Sequence, residues 1–187
     1  MQCIVPIQLK KGPSMESVKQ IIRDIPDFPK EGIIFKDITP LLADASAFGE
    51  TINALKKRYA DKQIDRVVGV EARGFIFASA LAYALGAGTT MVRKPGKLPY
   101  KTYQETYSLE YGTDTIEIHQ DAFQPSERIV LIDDVLATGG TLAATLNLIR
   151  KNFESVEIEE VAFLIELDFL NGREKLKDIP IHSLIHY

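Results

Sequence analysis

At 187 residues, 45% of them apolar and 26% charged, the chain has the make-up of one ordinary globular domain with a substantial core. Its net charge of −4 argues against general attraction to nucleic acid or anionic membranes, so an anionic substrate needs a local cluster of cations and N–H groups. The single cysteine, Cys3, excludes an internal disulfide and suits a reducing compartment, and no apolar run is long enough to span a bilayer.

Residues 1–14, MQCIVPIQLKKGPS, lack a signal peptide's basic start and cleavage pattern and read as an extension ahead of one domain at 15–187. From Ser14 the pattern turns helical, with Val18, Ile21, Ile22 and Ile25 on one face and Pro26 as the stop. Pro26 to Pro40 is rich in Pro and Gly around a short apolar strand, IIF. A second helix follows, with Ser46 as its expected cap and Phe48, Ile52, Leu55 and Tyr59 as its apolar stripe.

Strands and helices then alternate. RVVGV (66–70), TTMV (89–92), RIVLI (128–132), VAFLIEL (161–167) and IHSLI (181–185) read as strands. FIFASALAYAL (75–85) and TLAATLNLIRKN (141–152) read as helices. Continuous apolar strands separated by helices predict an α/β fold, a mostly parallel sheet flanked by helices on both faces. An antiparallel α+β arrangement would need alternating strands, and the core strands do not alternate. The interval from Arg93 to Phe123 is too long for an ordinary connection. Within it, SLEY (108–111) and TIEIH (115–119) flank Gly112, Thr113 and Asp114, which predicts a β-hairpin, read as a mobile lid. Tyr100, Tyr103, Tyr107 and Tyr111, four of the chain's seven tyrosines, lie in or just before it.

Ligands of open parallel sheets bind beyond the carboxyl ends of the strands. Three strands end there in chemistry-bearing residues: Glu71-Ala72-Arg73-Gly74, Arg93-Lys94, and Asp133-Asp134. Singly, each reads as a cap, a turn or a solvated loop. Together, on one sheet edge, they point to a site. The stretch VLIDDVLATGGT carries the sharpest chemistry. Its carboxylates accept hydrogen bonds and suit hydroxyls, while the following helix N-terminus offers unpaired N–H groups to a phosphate. A ligand with a phosphate at one end and a diol at the other satisfies both. Other templates are missing: G-x-x-x-x-G-K-[ST], a strand followed by G-x-G-x-x-G, and G-x-S-x-G are absent, and His119, His182 and His186 lack metal-ligand spacing.

VLIDDVLATGGT resembles the 5-phosphoribosyl 1-diphosphate (PRPP) signature of type I phosphoribosyltransferases. PDFPKEGIIFKDITPLL, ARGFIF, VRKPGKLP, SLEYG and LNGREKL resemble, in order and spacing, the adenine phosphoribosyltransferase family, from about Met15 to Tyr187. The resemblance implies a type I phosphoribosyltransferase fold with an N-terminal hood at about 26–40 and a lid at about 95–120. It implies a cytoplasmic homodimer of purine salvage, using Mg²⁺ bound through substrate with no direct protein ligand. Its small-molecule partners would be adenine, PRPP, AMP and pyrophosphate, with neither nucleic acid nor membrane.

Residue by residue, the resemblance implies that Ala137, Thr138, Gly139, Gly140 and Thr141 wrap the 5′-phosphate while Asp133 and Asp134 face the ribose hydroxyls. Glu71, Ala72, Arg73, Arg93, Lys94 and Lys97 would meet pyrophosphate, although Glu71 could instead hydrogen-bond its own loop. Ile34, Phe35 and Lys36 would bind adenine, with Phe35 stacking on the base. Glu110 would be the catalytic carboxylate of the lid, and Tyr111 would pack over the reacting centre. A transferase for another purine such as xanthine or hypoxanthine, and a non-catalytic PRPP-sensing regulator, are the alternatives.

Overall fold

A computed structural model describes residues 14–108 and 112–187, in two units that divide between Asn53 and Ala54. In the first, Ser14 caps helix α1 (Met15–Ile21) by accepting the Ser17 N–H at 3.3 Å. The helix ends sooner than its apolar spacing predicts. Ile22 turns extended, and strand β1 (Arg23–Ile25) pairs antiparallel with β2 (Phe35–Asp37), Ile25 opposite Phe35. Pairing with β2 takes over from Arg23, and Pro26 keeps Ile25, the residue before it, out of the helical conformation. The expected IIF strand accordingly starts two residues later, at Phe35.

Helix α2 (Thr39–Ala43) is one short turn carrying Pro40 in its first positions, too brief to leave a periodic signature. Helix α3 (Ala45–Tyr59) is capped by Asp44 rather than Ser46: the Asp44 carboxylate accepts the N–H groups of both Ser46 and Ala47 at 2.9 Å. Val18, Ile38 and Leu41 are buried in this unit.

The second unit begins with the end of α3, where Arg58 and Tyr59 grip the buried Glu160 at 2.5 and 2.6 Å. Those two partners hold the Glu160 carboxyl below its ordinary range against the opposing effect of burial. The unit is built on β3 (Arg66–Val70), α4 (Gly74–Leu85), β4 (Gly88–Val92), β5 (Thr102–Ser108), β6 (Thr113–His119), β7 (Arg128–Leu136), α5 (Gly140–Asn152), β8 (Glu157–Glu166) and β9 (Ile181–His186). Two short 3-10 turns, Asp168–Leu170 and Gly172–Leu176, join β8 to β9. The predicted sheet is present: five parallel strands in the order β4-β3-β7-β8-β9.

Val68, Leu131 and Val161 stand side by side in neighbouring strands and join Leu142, Leu146 and Leu148 of α5 in one apolar cluster. Fully burying an aliphatic side chain of this kind is worth about 1.5–3 kcal/mol, so this cluster dominates the unit's cohesion. Helix α4 buries Phe77, Ala78 and Leu81, and approaches so closely that a Cβ on Gly69 would lie 2.8 Å from that of Ala78. Strand β7 does not stop at Ile132 as its apolar run suggests. It continues to Leu136 because β8 is ten residues long and pairs with it up to Leu136↔Glu166.

The hairpin is β5 paired with β6, from Thr102↔His119 to Ser108↔Thr113, so its first strand begins earlier than SLEY. Its base is part of the unit. Ile116 and Ile118 are buried in the core cluster, and Tyr103 packs edge-on against Phe153 at 5.6 Å. Among the described residues no helix is long and apolar enough to cross a membrane.

Candidate functional site

Strand pairing carries the acid pair to the sheet's carboxyl end with its backbone satisfied, Asp133 opposite Phe163. The Asp133 Oδ1 also accepts the Asp134 N–H at 2.8 Å. Burial and the neighbouring Asp134 charge push the Asp133 carboxyl well above its usual range. Burial raises Asp134 too, against the pull of the Arg73 guanidinium, whose Nε lies 2.6 Å from Asp134 Oδ2. Two adjacent carboxylates at low exposure are costly in water's absence, and a hydroxyl-bearing ligand offers the donors that relieve them.

Past Leu136 the chain turns through Ala137, Thr138 and Gly139 into α5. Gly139 takes the left-handed conformation, φ 74°, and no side chain caps the helix. The first N–H groups of a 13-residue helix are therefore open to a ligand. Asp133, Ala137, Thr138, Gly139, Gly140 and Thr141 line a single cleft of 90 Å³. All seven residues expected at the phosphate and ribose end, Asp134 included, thus lie in one continuous run from strand to helix.

The other end is built from side chains. Glu71, at the end of β3, accepts the Lys94 N–H at 2.8 Å and Arg93 Nε at 3.3 Å, and pairs with Lys97. These partners depress the Glu71 carboxyl despite its burial. The Glu71–Ala72 peptide is cis. Arg93 also lies over the Phe75 ring, 5.7 Å from its centre. Gly74 lets α4 begin directly against the acid pair, since a Cβ there would lie 2.8 Å from the Ile132 carbonyl oxygen and 3.0 Å from Asp133 Oδ1. The turn from Glu71 to Gly74, the Arg93–Lys97 segment and the Asp133–Asp134 pair come together as the sequence predicts.

The expected base-binding residues belong to the first unit. Phe35 is half-buried and stacks edge-on against Phe28 at 5.2 Å, Ile34 is 58% exposed, and Lys36 pairs with Asp24 at 2.7 Å. Glu110 and Tyr111 lie outside the described residues.

The sequence left Tyr107 and Asp114 without a role. The Tyr107 hydroxyl lies 3.0 Å from Thr141 Oγ1 and donates to Asp114 Oδ2 at 3.3 Å, and Asp114 pairs with Lys94. Lys94 holds the Asp114 carboxyl down, while burial pushes the Tyr107 hydroxyl up. This chain of contacts links the Ala137–Thr141 loop, the hairpin and the cationic segment. An alternating Tyr and Asp in a hairpin carry no local signal of such a link.

Magnesium prefers hard oxygen ligands and commonly binds through substrate phosphates. Asp133 and Asp134 supply such oxygens without forming a cage, which fits an ion completed by substrate. Among the described residues the other candidate, Glu166, Asp168 and His186, fits poorly, because Arg173 and Ser183 already occupy both Glu166 oxygens.

Comparison with known proteins decides the family. The chain matches the phosphoribosyl transferase domain over residues 39–178. It is 59% identical over 173 residues to the adenine phosphoribosyltransferase of Syntrophotalea carbinolica, covering 92% of this chain and 100% of that one. The Geobacter metallireducens adenine phosphoribosyltransferase is 57% identical with the same coverage. This chain belongs to the adenine phosphoribosyltransferase family.

Solved structures agree. The enzyme of Thermoanaerobacter pseudethanolicus matches with a TM-score of 0.88 at 49% identity, covering 93% of this chain and 100% of that one. That of Saccharomyces cerevisiae, crystallised with an iminoaltritol bisphosphate and adenine, matches at 0.85 and 38% identity, covering 91% and 97%. The five-stranded sheet with its flanking helices is the type I phosphoribosyltransferase fold.

Proposed function

We propose that this protein transfers the 5-phosphoribosyl group of PRPP to adenine, forming AMP and pyrophosphate in purine salvage. The observation that carries this reading is the cleft lined by Asp133 and Ala137–Thr141 at an uncapped helix N-terminus, with the buried Asp134 and its Arg73 partner beside it. The phosphate loop binds the 5′-phosphate through backbone N–H groups and the hydroxyls of Thr138 and Thr141. Charge-assisted hydrogen bonds, at roughly 1.5–3 kcal/mol each, outweigh the helix dipole's ~0.3–1 kcal/mol. Asp133 and Asp134 accept from the ribose hydroxyls.

When the C1′–pyrophosphate bond breaks, the ribose gains positive charge and the departing oxygens gain negative charge, as in glycoside chemistry. Arg73, Arg93, Lys94 and Lys97, which exchange their carboxylate partners for the diphosphate when PRPP binds, neutralise that negative charge. Mg²⁺, bound through substrate with no direct protein ligand, would supply further charge neutralisation. Glu110 handles the purine proton and Tyr111 covers the reacting centre, while the hairpin excludes water. Phe35 stacks on adenine, with Ile34 and Lys36 reading the base through their backbone groups. A site that hydrogen-bonds one base edge rejects bases that leave its polar groups unpaired.

The catalytic domain runs from about residue 15, with the hood at 26–40 and the lid at 95–120. The exposed Ile76 and Tyr83 of α4 and Met91 of β4 support assembly as a homodimer. Single-cysteine usage supports a cytoplasmic setting. The decisive experiment offers adenine, guanine, hypoxanthine and xanthine separately with PRPP and Mg²⁺. AMP from adenine alone is the expected result. Turnover of another base discards the role given to Phe35 and its neighbours. PRPP binding without turnover of any base leaves a regulator.

A further inference from the structure

The LNGREKL stretch, Leu170 to Leu176, has no place in the reaction above, yet its backbone touches the phosphate loop. A Cβ built on Gly139 would collide with the Gly172 carbonyl oxygen, and one built on Gly172 would collide with the Ala137 carbonyl oxygen. A Cβ on Gly172 would also lie 2.9 Å from Leu136 Cδ1. Two backbones that approach this closely leave the loop little room to move away from its helix.

The turn is itself fastened. Asn171 takes the left-handed conformation, φ 51°, immediately before Gly172. Arg173 then clamps Glu166 with both arms, Nε to Oε1 at 2.5 Å and Nη2 to Oε2 at 2.6 Å. Glu166 is 4% exposed, and Ser183 Oγ on β9 donates to its Oε2 at 2.5 Å. In strand register Glu166 stands opposite Leu136, the last strand residue before the phosphate loop. The Leu167 N–H donates to the Leu136 carbonyl oxygen at 3.0 Å. Leu176, at the turn's other end, is buried in the same apolar cluster as α5.

Glu166 is therefore an anchor rather than a ligand site, since its two oxygens are fully engaged. What the anchor holds is the Gly172 backbone, and what that backbone holds is the bend at Ala137–Gly139. A loop that binds phosphate through N–H groups depends on their convergence, which side-chain chemistry cannot restore once the backbone shifts.

We propose that the Asn171–Arg173 turn, locked by Glu166, sets the shape of the phosphate loop, making Gly172 and Arg173 positioning residues for phosphate-bearing ligands. This rests on the reading of Ala137–Thr141 as the 5′-phosphate site. The turn touches no ligand. Its disturbance raises the KM of ligands carrying a 5′-phosphate and spares those without one.

The test is steady-state kinetics in both directions for Gly172→Ala, Arg173→Gln and Arg173→Lys, with circular dichroism and thermal melts of each. Gly172→Ala is expected to raise the KM of PRPP and AMP at least about 10-fold, with the KM of adenine and pyrophosphate within about twofold. Arg173→Gln is expected to do the same to a smaller degree, with Arg173→Lys recovering part of the loss. A turn that only supports the fold would lower the melting temperature and leave those ratios equal, which overturns the inference. If Gly172→Ala fails to fold, the arginine pair decides alone. If the wild-type protein transfers nothing to adenine, the reaction assignment fails instead. Calorimetric titration with ribose 5-phosphate then decides: weaker binding by the folded variants upholds the inference, and equal binding refutes it.

Discussion

The two ends of the site are built from different materials. At the end proposed for the 5′-phosphate, the site is made of backbone: an uncapped helix, a left-handed Gly139, and a second backbone at Gly172 pressed against it. At the cationic end they are made by flexible side chains that already hold carboxylates, Lys97 and Arg93 with Glu71, Lys94 with Asp114 and Arg73 with Asp134. A 5′-phosphate remains on the substrate throughout, so a rigid cradle suits it. Pyrophosphate must leave, and in the role proposed for these cations exchangeable ion pairs let them return to protein partners when it does. Rigidity at one end and exchange at the other is the division the chemistry requires.

Substitutions can sharpen or break that comparison, and the largest effect belongs to neither end. Glu110→Ala is expected to lower kcat by about 10²–10⁴-fold with the KM of PRPP little changed, as loss of a general acid–base group does. Unchanged turnover removes Glu110 from the mechanism. At the rigid end, Gly139→Val places a side chain against the Gly172 backbone and in a left-handed conformation. The KM of PRPP should rise about 100-fold or more, as it does when a binding group is misplaced by an ångström. A folded variant with near-normal KM would mean that the cradle is soft.

At the exchangeable end, Lys94→Ala with Lys97→Ala should raise the KM of pyrophosphate by roughly 10-fold, with a weaker dependence on salt than wild type, because screened charge attraction has been removed. An unaltered salt dependence would show that the lysines are spectators.

A smaller effect concerns pH. The Asp133 carboxyl is raised on folding, chiefly by burial and then by Asp134, so its ionisation opposes folding above its ordinary range. Asp133→Asn should therefore raise the melting temperature at pH 7 by roughly 2–4 °C, about 1 kcal/mol for a chain of this size, while weakening PRPP binding. The sign fixes the window: the advantage shrinks as pH falls through the folded-state value and is gone below the ordinary carboxylate value of 3.8, where both states are protonated. Calorimetry across this range checks it, and a gap that is constant with pH contradicts it. The smallest change is Tyr107→Phe, which cuts the tie to Thr141 and Asp114. One hydrogen bond of about 0.5–1.5 kcal/mol predicts a few-fold rise in the KM of PRPP, measured by initial rates. No change would detach the hairpin base from the phosphate loop.

The sequence by itself determined the parallel sheet, because the central apolar runs RVVGV, RIVLI and VAFLIEL do not alternate and so call for burial on both faces. It also marked Asp133, Asp134 and the Ala137–Thr141 turn as one candidate site, because their chemistry lies within twelve consecutive residues. Local errors had local causes that competing interactions settled. Asp44 displaced Ser46 as a cap, pairing with β2 and the following Pro26 drew Ile25 into a strand, and pairing with β8 carried β7 past its apolar run to Leu136. What only the tertiary structure decided are the contacts across long stretches of chain: Gly172 behind Gly139, Arg73 on Asp134, Glu71 between Arg93 and Lys97, and Tyr107 beside Thr141. A glycine in a turn, an arginine in a loop or a tyrosine in a hairpin carries no mark of its partner in the sequence. The partner is chosen by the sheet order, which brings the carboxyl ends of separate strands to one edge.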